Sequence, residues 1–344
     1  MLADLENSEL TYEKKYELNF GIEAGFLNDR INVAFDIYKR KNFDEIGPVA
    51  TQGISGQVIR WANIADMKSS GEEFSISTTN VKTRDFSWAT SLVFSHTKTE
   101  ITNLTSQERA IDLITNFGGR REGYPVRALY SIPFVGLSDE GFPIILNEAG
   151  EETTYDINFQ ERDKLDFLKY EGPTDPTVQG SLGNMLKWKG FTLNIFMTYS
   201  FGNVVRLDPV FAGRYTDLTS MTKEFKNRWM VPGDEQYTNV PVIMSKFQYD
   251  SNNTLRYGYN AYNYSDVRIA KGDFIRMKEI SLQYDFPKTW IKPLTNLSLK
   301  VQATNLFLIY ADKKLNGQDP EFFRSGGVAA PVPKQFTATL KVGI

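Results

Sequence analysis

The sequence predicts an all-β chain of antiparallel hairpins that forms part of a membrane-spanning β-barrel. Three observations favour this fold class: strict alternation of apolar and polar residues, polar faces rich in small hydroxyl and amide side chains, and a regular succession of short turns and long connections. Alternation alone suits a soluble β-sandwich equally well, because both folds have strands with one apolar face. The other two observations separate the alternatives.

The longest regular stretch runs from Lys271 to Pro287. From Ile280 to Phe286 every second residue is apolar, as a pleated strand with one apolar face requires. Upstream, the apolar residues Ile275 and Met277 fall on the other phase. The change of phase near Lys278–Glu279 predicts a β-bulge that exchanges the two faces.

Similar alternation along the rest of the chain predicts about nine strands in total. Most of them pair into hairpins with short turns. The predicted hairpins are 16–38, 74–94, 178–201 and 271–303, and a last strand is predicted at 336–344.

Long connections follow every second strand. They are predicted at Ile46–Trp61, Ile101–Thr177, Gly202–Asp266 and Ile309–Pro333. Inside them, Glu108–Asn116 and Thr219–Trp229 are helix candidates, and Pro125–Val135 with Pro143–Leu146 is a candidate hairpin.

The two faces of the predicted strands have different chemistry. The polar faces carry mostly Ser, Thr, Asn, Gly and Gln, which suits a water-filled interior. Aromatic residues gather at the short-turn ends, where a membrane barrel places its interfacial rings. They are Phe26, Phe86, Trp88, Trp188, Phe191, Phe286 and Trp290. These features favour the barrel over the sandwich.

Composition excludes several function classes. The net charge of −3 argues against nucleic acid as a partner. There is no cysteine, and His96 is the only histidine, so no metal or cofactor is expected. No carboxylate pair or nucleophile–base set stands out, so we expect no enzyme. The chain has no apolar run of helix-spanning length, and Met1–Asn7 lacks the pattern of a signal peptide.

Four tyrosines precede the Lys271–Pro287 strand: Tyr257, Tyr259, Tyr262 and Tyr264. Aromatic faces stack on sugars, which makes this group the candidate substrate-binding site. The competing interpretation, an interfacial girdle or packing within the connection, is the favoured one.

The strand count indicates that further strands are needed. If the short turns face the periplasm, the first and last strands both run inward, so the number is odd. Single-chain barrels of this kind have even numbers, because an open sheet edge in lipid leaves backbone groups unpaired. The sequence therefore predicts the C-terminal part of a larger barrel.

Several ordered motifs resemble the SusC/RagA-type TonB-linked outer-membrane proteins. They are Gly272–Leu282, Phe286–Pro287, Asn305–Phe307, Asn7–Tyr38, Ser69–Phe74 and Phe86–Trp88. Together they cover nearly the whole chain.

The resemblance implies that residues 1–344 are part of a 22-stranded TonB-dependent receptor barrel, with the plug domain and the N-terminal strands absent. It implies import of oligosaccharides or peptides across the outer membrane of a Bacteroidetes-like Gram-negative cell. The implied partners are a SusD-like surface lipoprotein, TonB acting through the plug, the imported substrate and membrane lipid. The alternative function is that of a soluble β-sandwich glycan-binding module.

Overall fold

A computed structural model describes residues 7–50, 58–210, 221–251, 254–290, 294–323 and 331–344. Its main feature is a nine-stranded sheet in which every neighbouring pair is antiparallel. In spatial order the strands are β1 (Lys14–Phe26), β2 (Ile31–Ala50), β3 (Ile59–Lys82), β4 (Phe86–Leu104), β10 (Val178–Trp188), β11 (Phe191–Phe201), β14 (Phe274–Asp285), β15 (Asn296–Ala311) and β16 (Gln335–Gly343).

The remaining elements lie in the long connections between these strands. They are α1 (Ala110–Ile114), β5 (Ala128–Ser131), β6 (Phe134–Leu137), β7 (Pro143–Leu146), β8 (Glu152–Thr153), β9 (Lys169–Pro173), β12 (Val204–Arg206), α2 (Lys246–Ser251), α3 (Leu255–Asn263), β13 (Ile269–Lys271) and short 3₁₀ turns. Among the described residues, no helix is long and apolar enough to cross a membrane.

The predicted asymmetry between the two ends of the sheet is confirmed. At one end, β1–β2, β3–β4 and β10–β11 are joined by tight turns. Lys189 takes the left-handed conformation with φ of 53° and is followed by Gly190, which suits a two-residue hairpin turn. At the other end, β4 and β10 are separated by more than 70 residues, which fold into structure of their own.

The bulge predicted near Lys278–Glu279 is present. Against β11, the register shifts so that Glu279 faces Phe196 while Met277 faces Met197, which leaves Lys278 unpaired in the ladder. The register with β15 shifts at the same position. The extra residue puts Met277 on the same face as Ile280, so one apolar face continues along the whole strand.

The apolar face of the sheet is exposed rather than packed against a second layer. Leu18 and Leu340, on the two outermost strands, are 61% and 63% exposed, and Val301 is 52% exposed. A soluble sandwich would bury these side chains in a dry interior between two sheets. The sandwich alternative is therefore wrong, and the apolar side is the outer wall of a barrel arc.

Buried apolar clusters lie instead in the segments that join the strands at the long-connection end. We call these segments the cap, defined as residues 105–177, 202–210, 221–251, 254–273 and 312–323. The largest cluster comprises Ala110, Leu113, Ile114, Ala128, Tyr130, Ile132, Ile145, Leu168 and Ala261. The cap is thus a folded body with its own hydrophobic core.

Several local predictions inside the connections are confirmed. Helix α1 lies within the predicted Glu108–Asn116 segment. The predicted hairpin is confirmed in part: β7 is its second strand and pairs with β6, but β6 overlaps Pro125–Val135 only at Phe134–Val135, and β5 in the same segment pairs with β9 instead.

Two predictions need correction. The Ile46–Trp61 segment is strand rather than connection at both of its ends, because β2 and β3 remain paired as far as Ala50 and Ile59. In Thr219–Trp229, the described part has only a 3₁₀ turn at Lys223–Asn227. Residues 51–57, 219–220 and Pro293 in the predicted turn after Trp290 lie outside the described residues.

Candidate functional site

The inner wall of the sheet presents small polar side chains to the interior. Cross-strand pairing places Ser95, Gln179 and Ser200 side by side on β4, β10 and β11, and it places Ser181 opposite Thr198 one step nearer the short turns. These residues line a cavity of about 630 Å³. Hydroxyl and amide groups at this density suit a wet lumen that forms hydrogen bonds with a passing solute.

The cap forms one boundary of this cavity, at the long-connection end. Asn203, Gly272, Pro320 and Glu321 of the cap line the same space as the strand residues. Asn203 contacts Gly272 closely enough that a Cβ on the glycine would meet its side-chain amide at 2.2 Å. The cavity is therefore bounded by both the barrel wall and the cap.

A buried ion pair fastens the cap to the inner wall. Arg276, on the inner face of β14, donates through Nη2 to both carboxylate oxygens of Asp319 at 2.5 Å. Both side chains are at most 10% exposed. Asp319 also accepts from the main-chain nitrogen of Glu321 and so begins the 3₁₀ turn Pro320–Phe322. A guanidinium that faced lipid would be strongly unfavourable, whereas here it faces the interior and a partner.

A second buried arginine holds two long connections together. Arg206, at the end of β12, is 4% exposed and donates to the main-chain carbonyls of Tyr130, Ser265 and Asn263 at 2.6, 3.2 and 3.4 Å. Its guanidinium carbon lies 5.5 Å from the ring centre of Tyr264. Burial lowers the pKa of Arg206 to about 9, which leaves the group charged at neutral pH.

The cap carries an open cavity of about 590 Å³ on its own surface. Glu224, Arg228, Asp234, Tyr237 and Arg268 are among its lining residues. Arg268 is buried at its base, where it pairs with Glu224 and donates to the carbonyl oxygen of Asp208 at 2.6 Å. The cavity therefore combines fixed charges of both signs with an aromatic side chain.

The four tyrosines predicted as a substrate site all belong to helix α3 and its C-terminal end. Tyr259 is 5% exposed and donates to the carbonyl oxygen of Val242 at 2.6 Å, and Tyr262 is 1% exposed. Tyr264 packs against the largest cap cluster, while Tyr257 keeps 38% of its surface exposed. Burial raises the pKa of Tyr259, and it raises that of Tyr262 to about 12. The structure thus brings the four into one element but leaves mainly Tyr257 accessible.

Sequence reasoning missed the three buried arginines, Arg206, Arg268 and Arg276. Nothing in their local sequence distinguishes them from exposed arginines, because their partners lie more than 40 residues away. No group of three or more metal-ligating side chains occurs in the described part of the chain.

No family model matches this chain. Its curated relatives include the TonB-dependent receptor P3 of Formosa agariphila, 25% identical over 93% of this chain, and the TonB-dependent receptor SusC of Bacteroides thetaiotaomicron, 27% identical over 98%. In both cases the match covers 32% of the relative, so the chain spans about a third of their length. Among solved structures, the RagAB peptide transporter matches with a TM-score of 0.76 and 22% identity. The match covers all of this chain and 36% of the RagAB chain.

The resemblance to the SusC/RagA-type receptors is confirmed. The nine-stranded sheet is accordingly an arc of a TonB-dependent transporter barrel, and its place is the outer membrane. The inner wall and the cap therefore face the interior of the barrel, and the exposed apolar face is its lipid side.

Proposed function

We propose that residues 1–344 are the C-terminal part of a TonB-dependent receptor barrel whose plug domain and N-terminal strands lie outside this chain. The two outermost strands support this. Tyr16 on β1 and Phe336 on β16 are 62% and 75% exposed, and each strand is paired on one side only. Unpaired backbone groups in lipid cost several kcal/mol each, so both edges require further strands.

The activity we propose for the complete barrel is import of oligosaccharides or peptides, together with a SusD-like surface lipoprotein and driven by TonB through the plug. The observation that carries the proposal is the division between an exposed apolar outer wall and a polar inner wall under a folded cap. Peptide transport is what the RagAB structure is described as performing. The hydroxyl and amide groups at Ser181, Thr198 and Ser200 equally suit an oligosaccharide.

Adjacent residues on β10 provide a matched test, because Ser181 faces the lumen and Leu182 faces outward. In the full-length protein, Ser181→Trp places an indole in the 630 Å³ cavity and is expected to reduce uptake. Leu182→Trp places the same side chain on the lipid side and is expected to leave uptake unchanged. Uptake of labelled oligosaccharides and of labelled peptides, compared in cells with and without active TonB, identifies the substrate class. Equal uptake by both variants, or uptake independent of TonB, would contradict the proposal.

For the tyrosine group, we propose that Tyr257 contacts the substrate and that Tyr259, Tyr262 and Tyr264 hold its helix in place. The proposal is supported by the difference in exposure, because Tyr257 is exposed whereas Tyr259 and Tyr262 are buried. Tyr264 packs against the largest cap cluster. Tyr257→Ala is expected to raise the substrate concentration for half-maximal uptake, whereas Tyr257→Phe, which keeps the ring, is not. Identical uptake curves for both variants would remove Tyr257 from the site.

A further inference from the structure

The outer wall carries one hydrogen-bonded polar cluster where apolar side chains are expected. On β4 and β10, Asn184 lies directly opposite Thr90, on the face that also bears Leu92 and Leu182. Trp88 donates through Nε1 to Asn184 Oδ1 at 2.9 Å, and Thr90 donates to the same oxygen at 2.8 Å. Asn80 of β3 extends the cluster by donating to Thr90 at 2.7 Å.

These contacts fix the orientation of the Asn184 amide. An indole nitrogen only donates, so the atom that Trp88 contacts must be the amide oxygen. That oxygen already accepts two hydrogen bonds, and the NH₂ group has no protein acceptor among the residues that the structure describes. A two-hydrogen donor on the lipid side without a partner is unfavourable, which points to an acceptor supplied from the membrane.

The depth of the cluster suits a lipid ester rather than the hydrocarbon centre. Trp88 lies two residues inside the start of β4, within the aromatic girdle of the short-turn end. Asn184 and Thr90 lie two residues further in, which is about 5 Å deeper for a strand tilted by about 40°. Glycerol ester carbonyls occupy this depth and accept hydrogen bonds.

Cationic side chains stand above the cluster, at the level of phosphate groups. Lys189 in the β10–β11 turn places Nζ 5.2 Å from the centre of the Trp188 ring. The main-chain nitrogen of Lys189 donates to the carbonyl oxygen of Asp85 at 2.8 Å, so the turn that contains Arg84 lies beside it. Within the described ranges neither Lys189 nor Arg84 forms an ion pair.

We propose that β4 and β10 form a binding site for one anionic glycerophospholipid of the leaflet at the short-turn end. The Asn184 NH₂ group donates to an ester carbonyl, Lys189 and Arg84 attract the phosphate, and Trp88 holds the amide in its donating orientation. The acyl chains lie along the apolar wall beside Leu92. The site is independent of what the barrel imports.

The test uses the full-length protein extracted in mild detergent, with bound phosphatidylglycerol measured by native mass spectrometry and by titration in nanodiscs. Asn184→Leu removes the donor, and the loss of about 1 kcal/mol corresponds to about fivefold weaker phosphatidylglycerol retention. Asn194→Leu, on the lumen face of β11, where Asn194 donates to Glu279, is the matched control and is expected to retain the lipid fully. Lys189→Gln is expected to reduce retention of phosphatidylglycerol relative to phosphatidylethanolamine.

If Asn184→Leu fails to assemble, Trp88→Phe serves as the second variant, because it removes the indole N–H that orients the amide and keeps an aromatic ring at this position. It is expected to weaken retention as well. Unchanged retention in the assembled Asn184 or Trp88 variant would overturn the proposal, and so would equal loss in the Asn194 control. Retention of lipopolysaccharide instead of a glycerophospholipid would also overturn it. Since no arm measures uptake, none of these results depends on the proposed import function.

Discussion

Removal of the Arg206 guanidinium should loosen the cap without disturbing the barrel wall. Arg206→Met keeps the length of the side chain but leaves the carbonyl groups of Tyr130, Asn263 and Ser265 without their donor. Hydrogen bonds to a charged group contribute about 1.5–3 kcal/mol each, and the desolvation of the buried guanidinium offsets part of the sum. We expect a net loss of about 3 kcal/mol in the free energy of local unfolding of the cap.

Hydrogen–deuterium exchange of the α3 amides is the appropriate assay, because global melting is dominated by the barrel. A loss of about 3 kcal/mol raises the opening equilibrium, and hence exchange in α3, on the order of a hundredfold. Arg256→Met is the matched control, since Arg256 is an exposed arginine of α3 itself. Its replacement should change the free energy of unfolding by less than about 0.5 kcal/mol. Unchanged α3 exchange in Arg206→Met, or equal acceleration in both variants, would show that Arg206 does not hold the two connections together.

Two further predictions concern the cap tyrosines and the bulge. Burial raises the pKa of Tyr262 from 10.0 to about 12, so its neutral form stabilises the cap fully below pH 10 and this contribution is lost as the pH rises through about 12. Near-ultraviolet circular dichroism of the cap should therefore fade between pH 10 and 12, and a loss that is complete below pH 10 would contradict the assignment. Deletion of Lys278 removes the bulge, turns Arg276 toward the outer wall and separates it from Asp319. Breaking such a buried ion pair costs about 3–5 kcal/mol. For the Lys278 deletion we expect no assembled barrel, seen on gels as the absence of a heat-modifiable band. Deletion of Lys288, in the following turn, is the control and should be tolerated. Assembly of the Lys278 deletion would show that the bulge does not fix the register of β14.

The membrane-spanning part of the fold was predictable because lipid and water impose opposite demands on alternate residues. That alternation located the hairpins around Gly190 and at 16–38, and its change of phase located the bulge at Lys278. The same signal fails beyond the membrane. Past Lys39 the outer face of β2 no longer needs to be apolar, although its ladder with β3 continues, so the strand was mistaken for a connection.

The cap was less predictable because its order depends on distant partners. Helix α3 was not anticipated, although Leu255, Tyr259 and Tyr262 follow the i, i+4, i+7 spacing of a helix face, and that spacing was available in the sequence. No comparable signal exists for Arg206, Arg268 or Arg276. Each donates to carbonyl or carboxylate groups more than 40 residues away in the sequence, and only the folded chain brings them together.

The placement of the apolar face against lipid is tested most directly on β15. Residues 1–344 contain no cysteine, so once any cysteine elsewhere in the full-length protein has been replaced, single cysteines at positions 297–303 can each carry one spin label. In the full-length protein in lipid, the odd-numbered positions should be accessible to oxygen and the even-numbered positions to a water-soluble nickel complex. Accessibility that does not alternate, or an odd-numbered set that reacts to the water-soluble reagent, would contradict the barrel arrangement.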